Sequence, residues 1–571
     1  MNWFNLILKK FNAKLSFLEK ILCLWGIAWG SLGMVLYFFG LVSLFYRPVL
    51  IGIFFIFVVG FIYLARKLQL VEGIKKFFKN ALATGKKDPL LILFLAIFLF
   101  FVVLNLIAAL APELGYDALW YHLTLPKIYL LTHQIRYIAG GVLYYSVMPR
   151  LAEMFFGVGL SFDPSGTFSR LIHLSFGLAW FTGIFMFLRL FLSRRYSLIL
   201  AVMIYGTILV SWLSQTAYVD LIVAFYCLLS CWGFFRYLKS KDQFFLDLSA
   251  IFMGLNLASK LYGLIIYAVL LLFILIKAGW KKALRFAAIA FLFGLPFYLQ
   301  AFLATGNPIY PVFSIRDSAL ETYLAGYQTV KEWLLHAWWV LLPRLLWRTL
   351  VYDFTPLFGL VLILPLVKNW QKMLLPLGIF FVFFILWSMV PVQEPRYFLV
   401  ILPLLALLIG FFMENFAFKF FRMLAICFML AVLILNGAKI FRDYQKTFPV
   451  VFGKVSRLEY LQENLPQTLN FYDADGYFKN HLGAQDKVLT AEIGNLFYVD
   501  FPFWDWSFIP ARVEWLQSAQ ILQKNLKDNG FTYVLLDKKN LANWTNLPDN
   551  ELGSFFEEVY ANDYLKLYRV K

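Results

Sequence analysis

Long apolar runs, separated by short polar segments, occupy most of the first 440 residues of the chain. A helix needs about 17–25 predominantly apolar residues to cross the hydrocarbon core of a bilayer. Ten runs approach that length, at about 21–46, 47–65, 89–111, 170–192, 196–213, 219–238, 283–304, 373–391, 397–413 and 420–438. The pattern therefore predicts an all-α polytopic membrane protein.

Two further apolar regions do not fit a single helix. Residues 245–277 have basic residues on both flanks, so both flanks belong on one side of the membrane and the region must cross twice, with Lys260 at the turn. In residues 336–367, Pro343 and several charged residues interrupt the apolar pattern. This indicates an interfacial segment up to about 352 and one crossing at 355–367, which brings the predicted count to about 13 transmembrane helices.

The charges of the loops assign the two faces of this predicted bundle. With a cytoplasmic N-terminus, all the short basic loops lie on one side, as the positive-inside rule requires. These loops hold Arg66, Lys67, Lys75, Lys76, Lys79, Lys86, Lys87, Arg194, Arg195, Arg236, Lys239, Lys241, Lys277, Lys281, Lys282, Lys368, Lys372, Lys419 and Arg422. The acidic and mixed segments, including 112–170, 215–220, 392–396 and the tail after 438, then lie outside the cell membrane.

The chain changes character after about residue 445. Helices are predicted at 456–464 and 512–528, strands at 487–489, 533–536 and 565–570, and a helix C-terminal cap at Gly530. We expect a small extracytoplasmic α/β domain. The chain thus divides into an N-terminal extension with two spans (1–88), a membrane domain with a large outer loop at 112–169 (89–440), and the C-terminal domain (441–571).

Composition supports a membrane protein and argues against a nucleic-acid-binding protein. Apolar residues make up 61% of the chain and charged residues 15%, whereas soluble domains have about 45–50% and 25%. The net charge of +18 is not spread evenly, because residues 445–571 contain 13 Lys and Arg against 16 Asp and Glu. The whole basic excess therefore belongs to the membrane part, where basic inner loops account for it, and no nucleic acid partner is expected.

The first outer loop carries the most informative polar residues. Glu113 and Asp117 stand within five residues of each other, directly after a predicted span. Carboxylates at a membrane mouth are costly unless they are solvated or used. One interpretation is structural, with Asp117 as the N-cap of a short helix that runs to Pro126; the other is chemical, and the two do not exclude each other.

A third carboxylate, Asp220, begins the sixth predicted span at the same outer face. It could simply favour the positive end of the helix dipole. Because Asp117 and Asp220 start elements on one face, they can also converge above one cavity. There they could act as a general base and as ligands of a hard divalent cation such as Mg²⁺ or Mn²⁺.

Two cations are predicted at the same face. Arg396 follows Glu394 in a short outer turn, and Lys260 lies at the turn between two spans. Arg binds phosphate through its planar fork and Lys as a point charge. The structural alternative for Arg396 is a snorkelling residue paired with Glu394. The chain has neither a GxGxxG motif before a helix nor a Walker sequence, which argues against a soluble nucleotide sugar as donor.

With these motifs the chain resembles the GT-C superfamily of integral-membrane glycosyltransferases. It is most similar to bacterial relatives of protein O-mannosyltransferases and of the lipid A aminoarabinose transferase. The resembling pieces are YDALWYHLTLPKIYL (116–130), SVMPRLAEMFF (146–156), TAYVDL (216–221), LASKLYG (257–263), TGNPIYP (305–311) and QEPRYFLVILP (393–403). They span the membrane domain in order and all fall at its predicted outer face.

The resemblance implies transfer of a sugar from a polyprenyl-phosphate carrier to a lipid, glycan or protein acceptor on the extracytoplasmic side, in a bacterial inner membrane. It implies Asp117 as the general base, with Glu113 as the alternative, and Asp220 as a second acidic residue. Arg396 would face the donor phosphate. Tyr116, His122, Lys260, Glu394 and Tyr397 lie in the same pieces and are assigned to substrate binding. The sequence has Glu113 and Asp117 in place of the Asp-Glu pair of protein mannosyltransferases.

Two other classes compete with this interpretation. A membrane enzyme of the O-antigen polymerase or ligase type would be expected to have an outer loop dominated by Arg and His rather than by carboxylates. A lipid-linked glycan flippase or transporter would be expected to have ionisable residues near the middle of the bilayer and an internal repeat, and neither is evident in the sequence.

Overall fold

A computed structural model describes most of the chain. The described residues are 3–76, 88–138, 144–312, 354–390, 394–465, 471–491, 495–506, 512–538 and 553–571, with isolated positions at 339–340, 343–345, 347–348, 493 and 509. The predicted interfacial segment up to about 352 and the Gln393 end of the QEPRY piece fall largely outside these residues.

The part of the chain before residue 445 is built from helices. They are α1 (Trp3–Lys14), α2 (Phe17–Leu41), α3 (Arg47–Lys67), α4 (Pro89–Leu110), α5 (Thr124–Thr132), α6 (Leu151–Phe162), α7 (Thr167–Leu188), α8 (Arg194–Tyr205), α9 (Ile208–Gln215), α10 (Asp220–Ser240), α11 (Gln243–Ser259), α12 (Gly263–Ala278), α13 (Trp280–Thr305), α14 (Leu374–Ser388), α15 (Leu402–Asn415) and α16 (Lys419–Tyr444). Helix α10 lies at the centre of the bundle, because 89% of its most apolar stretch is buried. It packs between α7 and α11.

The class of membrane protein is as predicted, but the count of 13 spans is not confirmed. In the described part of the chain, eight helices are long and apolar enough to cross a membrane, or nine if α8 and α9 form one span. The difference arises where apolar sequence does not form one long helix. Helices α8 and α9 bend by 64° at their junction, and the apolar stretch predicted to cross at 355–367 forms a 3₁₀ helix at Pro356–Leu366.

The region 245–277 breaks where its charges indicated. Helix α11 ends at Ser259, Lys260 has an extended backbone, and α12 begins at Gly263. Lys260 therefore leaves the helical backbone at the turn between two apolar helices.

Ion pairs tie together elements that the loop charges placed at one end of the bundle. These pairs are Lys14 with Asp242, Arg236 with Glu19 at 3.5 Å, Arg195 with Asp88 at 2.9 Å, and Arg285 with Asp247 at 2.8 Å. Asp117, Asp220, Lys260 and Arg396 contact one another elsewhere, so inner and outer charges form separate groups.

The outer loop contains an apolar helix that the sequence analysis did not predict. Every residue of α6 from Leu151 to Ser161 is buried, and the helix packs against α2, α3, α5 and α7. At 12 residues it is too short to cross a bilayer, so it fills the outer loop as a core element.

The C-terminal part forms the expected α/β structure. Its five strands are β1 (Val488–Ala491), β2 (Phe503–Asp505), β3 (Tyr533–Asp537), β4 (Phe556–Ala561) and β5 (Leu565–Val570), and its helices include α17 (Arg457–Asn464), α18 (Tyr477–His481) and α19 (Ala519–Asp528). The sheet order is β2-β1-β3-β5-β4, with β1 parallel to β2 and β3, and β5 antiparallel to β3 and β4. Strands β2 and β4 were not predicted. Gly530 follows α19 with φ of +73°, which confirms its expected role as a cap.

In the described part of the chain, side chains at three positions join the C-terminal domain to the outer loop, one of them Arg457 of α17, which donates to the Ser165 carbonyl at 3.2 Å. Lys127 of α5 donates hydrogen bonds to the backbone carbonyls of Phe497, at 2.7 Å, and Val499. The Tyr498 hydroxyl, between them, donates to the carbonyl of Glu113 at 2.8 Å. Residues 497–499, between β1 and β2, therefore contact Glu113 and Lys127, which lie on either side of Asp117 in the outer loop.

Replacing Lys127 by Met should loosen this junction, because two carbonyls lose their donor. We expect the free energy of unfolding to fall by about 1–3 kcal/mol, and limited proteolysis to release the C-terminal domain faster. Lys524→Met, at an exposed position of α19, is the matched control. Equal protease resistance of the two variants would show that Lys127 does not hold the domain in place.

Candidate active site

Four charged side chains pair at the end of the bundle that the loop charges predict to be extracytoplasmic. Arg396 Nη1 lies 2.7 Å from Asp117 Oδ2, and Lys260 Nζ lies 3.1 Å from Asp220 Oδ1. All four are predicted site residues, and they come from four separate segments of the chain. The cluster contains two negative and two positive charges. Their pairing lowers the energetic cost of burying them, because buried charges need partners.

Asp220 is held in place by the start of its own helix. It is the first residue of α10 and is fully buried. His173 of α7 accepts a hydrogen bond from the Leu221 backbone N–H through Nε2, at 3.2 Å, and its Nδ1 donates to the Leu213 and Thr216 carbonyls at 2.9 and 2.8 Å. A buried imidazole thus joins the end of α9 to the beginning of α10 and holds the backbone next to Asp220.

Lys260 approaches the site from the turn between α11 and α12. Its ammonium contacts Asp220 and lies 5.2 Å from the centre of the Tyr397 ring and 5.6 Å from that of Tyr262. The two rings stack on each other with centroids 4.6 Å apart. Burial lowers the pKa of the Lys260 ammonium, and the Asp220 carboxylate acts in the opposite direction.

Asp117 is not used as a helix cap. It precedes a short π-helix, Ala118–His122, but its side chain makes no capping hydrogen bond. Its Oδ2 instead contacts Arg396 and accepts a hydrogen bond from the Tyr121 hydroxyl at 3.3 Å. Its backbone N–H donates to the Tyr218 hydroxyl at 3.1 Å. The side chain keeps 12% of its surface exposed, so a bound molecule can reach it.

Glu113 has a different environment from Asp117. Its Oε1 accepts hydrogen bonds from the backbone N–H groups of Leu114 (3.0 Å) and Gly115 (2.8 Å) and from Thr216 Oγ1 (2.8 Å), while Oε2 accepts from the Ala217 N–H at 2.8 Å. The carboxylate thereby joins the first outer loop to the segment before α10. A Cβ at Gly115 would lie 2.4 Å from Thr216 Oγ1, so only glycine fits beside this junction.

Arg396 pairs with Asp117 and not with its sequence neighbour Glu394. It lies in a 3₁₀ helix, Pro395–Val400, for which Glu394 is the N-cap residue without a side-chain capping bond. The guanidinium carbon lies 5.1 Å from the Tyr218 ring centre and 5.5 Å from that of Tyr397. The snorkelling alternative therefore does not describe Arg396.

Tyr116 and His122, both predicted to bind substrate, have contrasting positions. The Tyr116 ring is 41% exposed and meets the Trp120 ring edge-on at 5.5 Å. His122 is buried, and its Nδ1 lies 2.7 Å from Oε1 of Glu153 on α6.

A cavity of about 440 Å³ opens beside the charged cluster. Its polar end is formed by Lys260, His122, Glu153 and the rings of Tyr121, Tyr262 and Tyr397. Most of the remaining wall is apolar, with Met148, Leu264, Ile265, Ile309, Leu386 and Met389. The cavity can therefore hold a molecule with a charged end and an apolar body.

Several residues of the site were not singled out from the sequence. Glu153, His173, Tyr218 and Tyr262 all lie within the cluster or beside it. Glu153 had a recognisable signal, because it is a single carboxylate in an otherwise apolar helix. His173 lies within an apolar run, where a buried structural histidine is equally expected.

Asp117 and Asp220 do not offer a prepared site for a divalent cation. Each carboxylate already faces a cationic side chain, whereas Mg²⁺ and Ca²⁺ take several oxygen ligands. Among the described residues, no group of three or more His, Cys, Asp or Glu side chains is placed to hold a metal ion. The arrangement therefore does not fit the expected Mg²⁺ or Mn²⁺ ligands, and metal dependence stays a hypothesis for experiment.

No family model and no curated protein matches the chain in sequence. In structure it is similar to ArnT from Cupriavidus metallidurans. The apo state of ArnT superposes with a TM-score of 0.54 at 13% identity, covering 85% of this chain and 98% of ArnT. ArnT bound to undecaprenyl phosphate gives 0.51 at 12% identity, covering 84% and 97%.

A lower score relates the chain to the archaeal oligosaccharyltransferase AglB from Archaeoglobus fulgidus, in complex with an inhibitory peptide and a dolichol-phosphate. The TM-score is 0.45 at 11% identity, covering 83% of this chain and 73% of AglB, which is too low to support a conclusion. At 12–13% identity the similarity to ArnT concerns the fold alone: over most of its length the chain has the fold of ArnT, which confirms the fold expected from the sequence motifs.

Proposed function

We propose that the protein is a membrane glycosyltransferase that transfers a sugar from a polyprenyl-phosphate carrier to an acceptor hydroxyl on the extracytoplasmic side. The observation that carries the proposal is the cluster of Asp117, Arg396, Asp220 and Lys260 beside an amphipathic cavity that Lys260 lines. The acceptor is a lipid, a glycan or a protein, and the sugar is a hexose or a pentose derivative.

The cavity matches the two parts of such a donor. Lys260 at its polar end can pair with the phosphate, and Arg396 next to it can bind a second phosphate oxygen. The apolar walls suit the isoprenoid units next to the phosphate. The fold relative ArnT has been crystallised with undecaprenyl phosphate, which supports a carrier of this class.

Asp117 is the group that we assign as general base. It is accessible and held by Arg396 and Tyr121, so it can take the proton of an acceptor hydroxyl while the hydroxyl oxygen attacks the anomeric carbon. The bond between that carbon and the phosphate oxygen breaks, and the phosphate leaves with the electron pair. Arg396 and Lys260 stabilise the charge that develops on it. Attack in line with the leaving group inverts the anomeric configuration.

Glu113 and Asp220 are better explained as positioning residues. The four hydrogen bonds to the Glu113 carboxylate leave it no free role in proton transfer without opening the junction with residues 216–217. Asp220 is fully buried and directs the Lys260 ammonium. Both carboxylates thus act through the groups that they hold.

Asp117→Asn should lower kcat for sugar transfer by about 10²–10⁴-fold, because the amide cannot accept the hydroxyl proton. The purified variant should also melt at a lower temperature, because the buried Arg396 loses its counter-charge. Glu113→Gln should differ in kcat: the folded protein should keep its turnover, while the melting temperature falls because the new amide group would point an N–H at a backbone donor. Transfer of radiolabelled sugar and thermal unfolding, measured on both variants, test the assignment.

Asp443→Asn, at the exposed end of α16, is the matched control for loss of a carboxylate. Wild-type turnover in Asp117→Asn would contradict the base assignment. A stable Glu113→Gln protein without activity would move the role of base to Glu113.

Sugar transfer should persist after removal of divalent cations, because Arg396 and Lys260 already supply the positive charge. We expect the purified enzyme to retain most of its activity in EDTA and to gain none from added Mg²⁺ or Mn²⁺. Loss of activity in EDTA, restored by one of these ions, would instead place a metal at Asp117 and Asp220.

The proposal requires the C-terminal domain to lie outside the cell. A cysteine introduced at Lys524 of α19 should react with a membrane-impermeant maleimide in intact cells, in a background that lacks the exposed Cys427. A cysteine at the exposed Ser240, at the basic end of α10, should react only after the membrane is opened. The reverse pattern would invert the topology.

A further inference from the structure

His122 and Glu153 form a buried pair that the mechanism above does not use. The Nδ1 atom of His122 lies 2.7 Å from Glu153 Oε1, and both side chains are at least 95% buried. His122 Nε2 and Glu153 Oε2 are buried without a hydrogen-bond partner among the described residues. Since buried polar atoms normally have partners, these two atoms indicate a group that is bound during function.

The His122 ring lies at the wall of the donor cavity, with its Nε2 buried behind the cavity surface. Both His122 and Glu153 line the same 440 Å³ space as Lys260 and Tyr397. The imidazole therefore lies on the wall of the cavity in which we place the carrier phosphate.

The charges that face the pair come from several elements. His122 is influenced by Lys260, Arg396 and His173, and Glu153 by Lys260, Arg150 and Asp220. Cations outnumber carboxylates in these surroundings. They attract an anionic phosphate and oppose a lasting positive charge on the imidazole.

We propose that His122 and Glu153 are a proton-donating pair, in which His122 Nε2 gives a hydrogen bond, and then a proton, to the leaving phosphate of the carrier. This inference rests on the proposed glycosyl transfer and adds a general acid to it. His122 is then a catalytic residue, and Glu153 is a positioning residue that holds its ring and shares its proton.

Protons are conserved over one catalytic turnover. Asp117 takes the hydroxyl proton of the acceptor, and the phosphate that leaves the anomeric carbon takes the Nε2 proton, so the carrier is released as a monoanionic hydrogen phosphate. The pair is left with the Glu153 carboxylate accepting from Nδ1–H and with a lone pair on Nε2. Asp117 then gives its proton to the outer water, and the pair takes one from the same water.

The ionisation of the pair agrees with this role. Burial raises the pKa of Glu153 to about 8, and burial lowers the pKa of His122, helped by Lys260 and Arg396. Two groups that interact this closely take up one proton as a unit. At pH 7 the pair holds this proton, and Nε2 carries a hydrogen whether the shared proton lies on His122 Nδ1 or on the Glu153 carboxyl group.

The test uses farnesyl phosphate as a short-chain probe of the carrier, with binding to the purified full-length protein measured between pH 7 and 9.5. If the pair must hold its proton to bind the phosphate, wild-type affinity should fall about ten-fold per pH unit above pH 8, the slope of a one-proton linkage. In His122→Gln and in Glu153→Gln this fall should disappear, with affinity at pH 7 reduced to the wild-type level at pH 9 or below.

Sugar transfer by the same proteins gives a second readout. Both variants should lose at least ten-fold in kcat at pH 7 and lose the wild-type decline in rate above pH 8. Tyr298→Phe, which removes a buried hydroxyl that donates to the Leu257 carbonyl outside the cavity, is the matched control and should keep the wild-type pH profile. If His122→Gln fails to fold, Glu153→Gln alone provides the comparison, because its amide oxygen still accepts from Nδ1–H.

The results separate the two proposals. A wild-type protein that binds farnesyl phosphate with this pH dependence but transfers no sugar would refute the proposed function and leave the phosphate contact of His122 standing. A wild-type pH profile in a folded His122→Gln or Glu153→Gln protein, with sugar transfer intact, would overturn the proton-donating pair alone.

Discussion

The mutual neutralisation of Asp117, Asp220, Lys260 and Arg396 is the interaction on which the outer end of the molecule depends. An isolated charge in this setting would be expelled towards water or would lose its ionisation. Paired across four segments, the charges remain buried beside an apolar cavity. Removing one member leaves its partner buried and unpaired, which costs more than the pair contributes to stability. The pairs are therefore better suited to receive an anion than to stabilise the fold.

Three of these charged residues lie at helix ends or in short turns, where the bundle is irregular. Lys260 leaves the helical backbone between α11 and α12, Asp220 starts α10, and Arg396 lies in a 3₁₀ turn before α15. A continuous transmembrane helix would have turned such side chains towards lipid or neighbouring helices. Irregular backbone at a membrane protein's core is tolerated where it lines a cavity, and here residues 259–262 line the cavity of about 440 Å³.

The sequence predicted those features of the structure that depend on a single property, such as apolar length or loop charge. Apolar length predicted the membrane class, and loop charge predicted which side chains would gather, so Asp117, Asp220, Lys260 and Arg396 could be grouped before any coordinates. Apolar length failed at Pro356–Leu366 and at the bend between α8 and α9, because hydropathy does not report how a segment packs. The contacts between Glu113 and residues 216–217, and between His122 and Glu153, join positions 31 or more residues apart. No local pattern encodes such distances.

The hydrogen bond from Tyr498 to the Glu113 carbonyl limits how the C-terminal domain can evolve. Glu113 is one end of the loop that carries Asp117, and the same segment of the C-terminal domain also receives Lys127. The outer domain is thus part of the scaffold of the membrane site. It cannot be exchanged for another domain as a self-contained module, unless the replacement carries its own segment to support that loop. An acceptor preference located in the outer domain would be inherited together with the loop that it supports.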